Sequence, residues 1–203
     1  MSVDPYDALA KLDPVMAELM GRVGRPDPFD WKPILARVGD DHFRAMLLSI
    51  TSQQISSAAA WAIFDRLVAA MDGRPTPAAA LALGPEKLRA LGLSRAKAGY
   101  VADLADAVLT GRVDLDHLPA DDEEAIAMLS TVRGIGRWSA EVFLISQLRR
   151  PDILPAGDLG IRQGIRLVYG LPALPSIKQA RERGLAWSPY RTYASILLWN
   201  SLL

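Results

Sequence analysis

The stretch Leu129–Val142, which reads LSTVRGIGRWSAEV, predicts two helices joined by a short turn. Upstream of it, Asp121 and Glu124 have the spacing of a capping box, which marks the start of the first helix. Gly134 and Gly136 then end that helix and turn the chain, because glycine adopts positive φ without a steric cost. A second apolar helix follows directly after the turn.

This turn has the features of an anion site. Backbone N–H groups near Gly136 lie at a helix N-terminus, where the helix dipole favours negative charge and no side chain of residue 136 covers them. Arg133 and Arg137 flank the glycines and add positive charge. The turn is therefore predicted to bind a phosphate, although a glycine C-cap is also an ordinary way to end a helix.

Four motifs resemble one family of DNA repair enzymes. The hairpin resembles that of the helix-hairpin-helix DNA glycosylases, and Leu154–Asp158 (LPAGD) is similar to their Gly/Pro-rich loop and catalytic Asp. Ser49–Ser56 (SITSQQIS) and Trp187–Trp199 resemble an early Gln-containing segment and the C-terminal helix of the 3-methyladenine DNA glycosylase II group. Because all four occur in the family's order, the resemblance is more specific than the hairpin alone.

The helical periodicity predicts an all-α protein, since no segment shows sustained period-two alternation. Four N-cap and proline pairs mark helix starts: Asp4-Pro5, Asp13-Pro14, Thr76-Pro77 and Ser188-Pro189. The resemblance implies a single domain, residues 1–203, of two helical lobes with the active-site cleft between them. One lobe is expected to comprise residues 1–40 and 150–203, and the other residues 41–149 with the hairpin at 130–138.

The composition limits which cofactors and partners are possible. The chain has no cysteine, which excludes disulfides and the four-Cys iron–sulfur cluster of some glycosylases. His42 and His117 stand far apart without a carboxylate cluster, so a zinc site is not expected. The 23 basic and 23 acidic residues give zero formal net charge, which argues against strong non-specific DNA binding and for a few salt-sensitive phosphate contacts.

The sequence has no basic region followed by an apolar run at its start, and no apolar run of membrane-spanning length. We therefore expect a cytoplasmic protein, associated with the nucleoid if it is bacterial, without a membrane partner and monomeric.

Asp158 is the main candidate for catalysis. Its position before a helical run is also that of an ordinary N-cap, and the two roles are compatible, because a helix N-terminus favours the ionised carboxylate. Breaking an N-glycosidic bond creates positive charge on the sugar, and a fixed anion beside it stabilises the transition state more than the ground state. The resemblance implies that Asp158 is catalytic; such a residue can also orient or deprotonate water.

Trp138 bears on the type of reaction. In relatives that also cut the DNA strand, this hairpin position resembles the place of a nucleophilic Lys, which forms a Schiff base with the sugar. A Trp cannot form that bond. The resemblance therefore implies simple hydrolysis that leaves an abasic site, without lyase activity.

Aromatic residues are candidates for the pocket that receives the extruded base: Trp138, Trp199, Phe43 and Tyr190. Aromatic walls stack on a base that has left the duplex. Alkylated purines such as 3-methyladenine are cationic, so a cation–π attraction of order 1 kcal/mol adds to the stacking. Core packing is the alternative for each of these aromatics, and it is favoured for Phe43.

The pair Gln53 and Gln54 falls at the junction of two predicted helices. By resemblance, Gln54 occupies the place of the side chain that is wedged into DNA where the base was, with Gln53 as the neighbouring candidate. Solvent-exposed glutamines at a helix end are the alternative that composition leaves open.

A monovalent cation is the one further ligand that the resemblance implies. Hairpins of this type hold Na⁺ or K⁺ on backbone carbonyls, here those of Ser130, Val132 and Ile135, and the ion bridges to the bound phosphate. Hard oxygen ligands suit such an ion.

These residues predict a monofunctional DNA glycosylase of base excision repair, which flips out and hydrolyses alkylated bases of the 3-methyladenine and 7-methylguanine type. Its partner is double-stranded DNA that contains damaged bases. Two alternatives stay open: a glycosylase for oxidised or mismatched bases, and a non-catalytic DNA-binding module that uses the hairpin alone.

Overall fold

Helices form the regular structure throughout residues 4–203, which the computed structural model describes apart from the side chain of Pro33. No strand occurs among these residues, so the predicted all-α class is confirmed. None of the described helices is both long and apolar enough to cross a membrane. In chain order the α-helices are α1 (Pro5–Leu12), α2 (Pro14–Val23), α3 (Lys32–Val38), α4 (His42–Ser52), α5 (Ser57–Ala70), α6 (Pro77–Ala90), α7 (Arg95–Leu109), α8 (Asp122–Leu129), α9 (Arg137–Ser146), α10 (Leu159–Val168), α11 (Ile177–Gly184) and α12 (Arg191–Asn200).

Three of the four N-cap and proline pairs start helices as predicted. Asp4, Asp13 and Thr76 cap α1, α2 and α6, each with a side-chain oxygen that accepts from backbone N–H groups of the first turn. The fourth prediction is wrong, because α12 begins two residues after Pro189. The hydroxyl of Ser188 does not cap a helix; it donates to Oδ2 of Asp152 at 2.8 Å.

The helix α6 contains a kink at Gly84. Gly84 interrupts the helical backbone with φ of 70° and ψ of 165°, and Pro85 starts the following turn. Proline has no backbone N–H to donate to the preceding turn, so the helical hydrogen bonds are interrupted at this point. The helix continues beyond the kink to Ala90.

The chain forms two compact units, which differ slightly from the predicted lobes. The terminal unit comprises the chain up to Trp31 together with Leu144–Leu203, and the central unit comprises Lys32–Phe143. The chain passes between the units after Trp31 and after Phe143, whereas the predicted boundaries lie nine and six residues later, after residues 40 and 149. The helix α3 belongs to the central unit because it packs against α4.

Each unit has its own apolar packing. In the central unit, α4 packs against α5 and α7, and Met46, Leu47 and Ile50 of α4 are fully buried at the helical spacing seen in the sequence. In the terminal unit, α1 and α2 pack against α12, and α10 packs against both α11 and α12. Its largest fully buried side chain is Trp187.

A polar group at the edge of the terminal core connects three segments of the chain. Oδ2 of Asp13 accepts hydrogen bonds from the Tyr169 hydroxyl at 2.5 Å and from Nε1 of Trp187 at 2.9 Å, while Oδ1 caps α2 through Val15. Burial alone raises the pKa of Asp13, but the hydrogen bonds from Tyr169 and Trp187 outweigh it, so the pKa lies below its usual value.

We expect Asp13→Ala to lower the free energy of unfolding by about 2–4 kcal/mol, because it removes a cap and leaves a buried indole N–H without its partner. Asp4→Ala is the matched control. It removes an equivalent Asp-Pro cap without a buried donor and is expected to cost about 1 kcal/mol. Urea unfolding of both variants measures the difference, and equal losses would contradict this role for Asp13.

The stability provided by Asp13 is also expected to depend on pH. Because its folded-state pKa is lowered, the contribution is present above the pKa of the unfolded chain, about 3.9, and is lost as pH falls through the folded pKa. The difference in stability between wild type and Asp13→Ala should therefore be largest at neutral pH and shrink below about pH 4.

Candidate active site

Asp158 begins α10, as the sequence predicts. The residue is the N-cap of this ten-residue helix, with φ of −66° and ψ of 133°, and its Oδ1 accepts a hydrogen bond from Ile161 N at 2.9 Å. The side chain is half-buried. The helix dipole therefore stabilises a negative charge at this position.

Trp199 is brought directly to this carboxylate. Its Nε1 donates to Oδ1 of Asp158 at 3.0 Å, although the two residues are 41 positions apart in the chain. Trp31 packs edge-on against the Trp199 ring, with ring centroids 6.2 Å apart, and its own Nε1 donates to the carbonyl of Pro28 at 3.0 Å. Sequence reasoning missed Trp31, because nothing in the local pattern connects it to the C-terminal helix.

Two glycines allow α12 to lie close to α10. A Cβ on Gly160 would be 2.9 Å from Oδ1 of Asp158 and 3.2 Å from the Trp199 ring. One turn later, a Cβ on Gly164 would be 2.7 Å from the backbone carbonyl oxygen of Leu198. Their spacing of four residues on one helix is a sequence signal for this close packing.

The loop that precedes Asp158 is anchored on the first turns of α12. Oγ1 of Thr192 donates to the carbonyl of Arg150 at 2.7 Å and accepts from Ile153 N at 3.0 Å. The hydroxyl proton of Ser195 is shared between the carbonyls of Arg191, at 2.8 Å, and Ile153, at 3.1 Å. Thr192, Ser195 and Trp199 lie on one face of α12, so a single helix holds both the loop and the carboxylate.

An ion pair reinforces the same loop. Nε and Nη2 of Arg191 donate to the two carboxylate oxygens of Asp152 at 2.8 and 2.9 Å. Burial alone raises the pKa of Asp152, but hydrogen bonds from Arg191 and Ser188 outweigh it and lower the pKa below its usual value. Sequence reasoning missed this pair, because the two residues are 39 positions apart.

The other predicted pocket aromatics have different surroundings. Trp138 lies in the first turn of α9 and is 46% exposed. Phe43 is buried in α4, as its core alternative requires. Tyr190 is half-buried, packs against the terminal core and makes an edge-on contact with Tyr193 at 6.3 Å between ring centroids. Among the four predicted aromatics, Trp199 contacts Asp158 through the hydrogen bond from its Nε1.

In the hairpin, a single glycine has the backbone conformation that the sequence assigned to two. Gly134 has φ of 85°, and a Cβ there would be 2.2 Å from the Tyr100 ring. Gly136 has no positive φ, is exposed, and a Cβ there would have nothing within 4 Å. A glycine is therefore required at position 134, both for its positive φ and for its close contact with Tyr100. At position 136, by contrast, the space beside the start of α9 is open.

The two hairpin arginines differ in their partners. The Arg137 guanidinium is paired with Glu123 and with Glu141, whose carboxylate accepts from Nε at 2.8 Å. A phosphate at Arg137 would compete with these carboxylates. The side chain of Arg133 is 71% exposed. The backbone N–H of the same residue donates to Oδ2 of Asp103 at 2.7 Å.

The predicted cation ligands belong to this same turn. Ser130 is the C-cap of α8, and the Val132 carbonyl accepts a hydrogen bond from Ile135 N at 3.1 Å. Among the described residues, no group of three or more His, Cys, Asp or Glu side chains is arranged to hold a metal ion.

Gln53 and Gln54 form the turn between α4 and α5. Nε2 of Gln53 donates to the Gly134 carbonyl at 2.8 Å, so its side chain is directed to the hairpin. Gln54 is exposed and has φ of 57°, which is uncommon for a residue other than glycine. Of the two wedge candidates, Gln54 is the exposed one.

Comparison with known proteins gives one family. A family model described as HhH-GPD superfamily base excision DNA repair protein matches residues 47–189. The DNA-3-methyladenine glycosylase 1 of Schizosaccharomyces pombe is 31% identical over 188 residues, which cover 85% of this chain and 82% of that protein. The DNA-3-methyladenine glycosylase 2 of Escherichia coli is 30% identical over 216 residues, which cover 94% of this chain and 74% of that protein.

A solved structure agrees with these sequence matches. The S. pombe 3-methyladenine DNA glycosylase in complex with abasic DNA aligns with a TM-score of 0.82 at 31% identity, over 99% of this chain and 98% of that one. The residues matched by the family model include the Gln53–Gln54 turn, the hairpin and Asp158. The chain belongs to the HhH-GPD superfamily of base excision DNA repair proteins.

Proposed function

We propose that this protein is a DNA glycosylase that hydrolyses the N-glycosidic bond of alkylated bases in double-stranded DNA, of the 3-methyladenine and 7-methylguanine type. The observation that carries the proposal is the carboxylate of Asp158, held at a helix N-terminus by two N–H donors. Relatives named DNA-3-methyladenine glycosylases support the substrate class, and a structural relative in complex with abasic DNA supports the product.

Asp158 acts on the sugar from which the base departs. As the N-glycosidic bond breaks, positive charge develops on the sugar, and a carboxylate beside it lowers the energy of that state. The Ile161 N–H and Nε1 of Trp199 donate to Oδ1, which restrains the orientation of the carboxylate. Because the group is oriented before the reaction, little reorganisation is needed when the charge forms. The same carboxylate orients or deprotonates the water that completes hydrolysis.

The aromatic pair Trp199 and Trp31 supplies stacking surface beside the carboxylate. Their edge-on contact fixes the Trp199 ring, whose N–H is already committed to Asp158. A methylated purine with a positive charge gains both stacking and cation–π attraction from such rings. Its charge also makes it a good leaving group, so the reaction needs no strong general acid.

The absence of lyase activity is part of this proposal. Trp138 occupies the hairpin position at which a strand-cutting relative would carry a Lys, and an indole forms no Schiff base. The expected product is an intact strand with one abasic site.

The hairpin supplies the phosphate anchor on the DNA. Backbone N–H groups near Gly136 at the start of α9 bind a phosphate, with a Na⁺ or K⁺ ion on the carbonyls of Ser130, Val132 and Ile135 as its bridge. No other cofactor is proposed. Gln54 enters the space that the extruded base leaves.

Asp158→Asn is expected to reduce base release by at least about a hundredfold, because it removes the negative charge that stabilises the sugar cation. The affinity for a lesion-bearing duplex should stay close to that of wild type, since an amide still accepts from Ile161 and Trp199. Base release from duplexes methylated at purines, with binding to the same duplexes, measures both. Release at the wild-type rate would contradict the catalytic assignment and would fit a pure DNA-binding module.

Borohydride is expected to trap no covalent complex with lesion-bearing DNA, because position 138 offers no amine. The strand should break only after heating in alkali, which cleaves at abasic sites. A strand-cutting glycosylase, run in parallel as a positive control, verifies the trapping conditions. A covalent adduct with the protein would show that it has a nucleophilic amine and lyase activity.

Gly136→Val is expected to lower the affinity of the protein for lesion-bearing and for undamaged duplexes by a similar factor, because the new side chain covers the proposed phosphate site. The slope of log affinity against log salt should fall by about 0.9 for the one phosphate contact that is lost. The open space at position 136 predicts a folded variant, which circular dichroism checks. Gly21→Val, at an exposed glycine of α2 with equally open surroundings, is the matched control. A folded Gly136→Val protein with unchanged affinity and salt slope would show that the anchor lies elsewhere.

A further inference from the structure

One face of α7 contacts two turns of the central unit, the Gln53–Gln54 turn and the hairpin. The proposed function gives both turns contacts with DNA. Lys97, Tyr100 and Asp103 follow each other at three-residue intervals, which places them along one side of the helix. Lys97 bonds to the end of α4, while Tyr100 and Asp103 contact the hairpin. These contacts go to main-chain atoms or the glycine of the two turns, so α7 restrains their backbones.

Lys97 fixes the turn that carries Gln54. Its Nζ donates to the carbonyl of Thr51 at 2.8 Å and to the carbonyl of Gln53 at 2.6 Å. These acceptors lie at the C-terminus of α4, where a cation is favoured by the helix dipole. The next residue, Gln54, has φ of 57°, so Lys97 holds the backbone immediately before an uncommon conformation.

Gln53 joins that turn to the hairpin. Its Nε2 donates to the carbonyl of Gly134 at 2.8 Å across 81 positions of sequence. Gly134 itself lies over the Tyr100 ring, where no Cβ would fit, and the neighbouring N–H of Arg133 donates to Asp103 at 2.7 Å. The Gln54 turn and the hairpin therefore share one set of hydrogen bonds with α7.

We propose that Lys97 and Gln53 are positioning residues that set the distance between the phosphate anchor at the hairpin and the wedge Gln54. A phosphate bound at the hairpin then places Gln54 at one fixed step along the strand, which couples anchoring to extrusion of the base. This inference rests on the proposed function for its role in repair. It assigns to Gln53 a bond to the hairpin in place of entry into the DNA.

The arrangement has a kinetic consequence. Turns that are already ordered lose little conformational entropy on binding, and a displacement of about 1 Å can cost about a hundredfold in rate when a reacting group is misplaced. Loss of Lys97 or Gln53 should therefore reduce extrusion and excision, while phosphate binding at the hairpin, which needs no register with Gln54, is retained.

The test compares Lys97→Met and Gln53→Glu with wild type. The first removes two hydrogen bonds at nearly constant side-chain length, and the second sets a carboxylate against the Gly134 carbonyl. Lys97→Arg is the conservative variant, since it keeps the charge and the donors. Lys87→Met, at an exposed lysine of α6, controls for the loss of one positive charge. Thermal unfolding verifies that each variant is folded.

Three readouts are measured: affinity for an undamaged duplex, single-turnover release of methylated purines, and fluorescence of 2-aminopurine. The 2-aminopurine is placed opposite a tetrahydrofuran abasic analogue. Its fluorescence rises when the stacking of neighbouring bases in the duplex is disrupted. Lys97→Met and Gln53→Glu should lower the release rate by about tenfold or more and reduce the fluorescence rise at saturating protein. Their affinity for undamaged duplex should stay within about twofold of wild type, which is under 0.5 kcal/mol. Lys97→Arg should recover part of both signals, and Lys87→Met should match wild type.

The outcomes separate this inference from the proposed function. Equal losses in undamaged-duplex affinity and in release, or wild-type fluorescence in both variants, would overturn the positioning role. A wild-type protein that gives no fluorescence rise at saturation would overturn it as well. If wild type releases no base, the proposed function fails, and the fluorescence of the abasic-analogue duplex still decides whether Lys97 and Gln53 position the wedge.

Discussion

The hydrogen bond between Trp199 and Asp158 is the contact on which the candidate active site depends. It joins the C-terminal helix to the N-cap of α10 and directs an indole N–H at the same oxygen that caps the helix. This contact requires α12 to lie almost against α10, which Gly160 and Gly164 permit because neither has a Cβ in the interface. The same helix holds the loop before Asp158 through Thr192 and Ser195. One helix, α12, therefore contacts both the carboxylate and the loop that leads to it.

The placement of Asp158 allows one residue to serve both folding and the proposed chemistry. An N-cap carboxylate stabilises its helix by accepting a backbone N–H, and the helix in turn stabilises the negative charge. Asp13 performs the purely structural version of this role in the same unit, with its other oxygen occupied by Tyr169 and Trp187. The difference lies in the neighbours: Asp13 meets a core tryptophan that is fully buried, whereas Asp158 meets a half-buried tryptophan of the candidate pocket.

The charges of the chain are compatible with the proposed phosphate anchor of backbone groups. The formal net charge of the chain is zero, and the guanidinium of Arg137 is paired with two glutamates. Backbone N–H groups at a helix N-terminus bind a phosphate without any net charge, which makes the hairpin geometry more important than the number of basic residues. The Tyr100 ring of α7 packs against Gly134 and helps to maintain that geometry.

The sequence by itself determined the features that depend on neighbouring residues. N-caps and helix starts could be predicted at Asp13 and Asp158, because a cap bonds to a backbone N–H only two or three residues away. At Ser188 the same rule failed, since α12 begins at Arg191, whose backbone N–H donates to the distant carboxylate of Asp152. The tertiary structure alone decided that Trp199 bonds Asp158 and that Gln53 bonds the hairpin, across 41 and 81 positions. Contacts of this length depend on how helices pack, and helix packing is set by the shape of whole faces, which no local pattern of residues specifies.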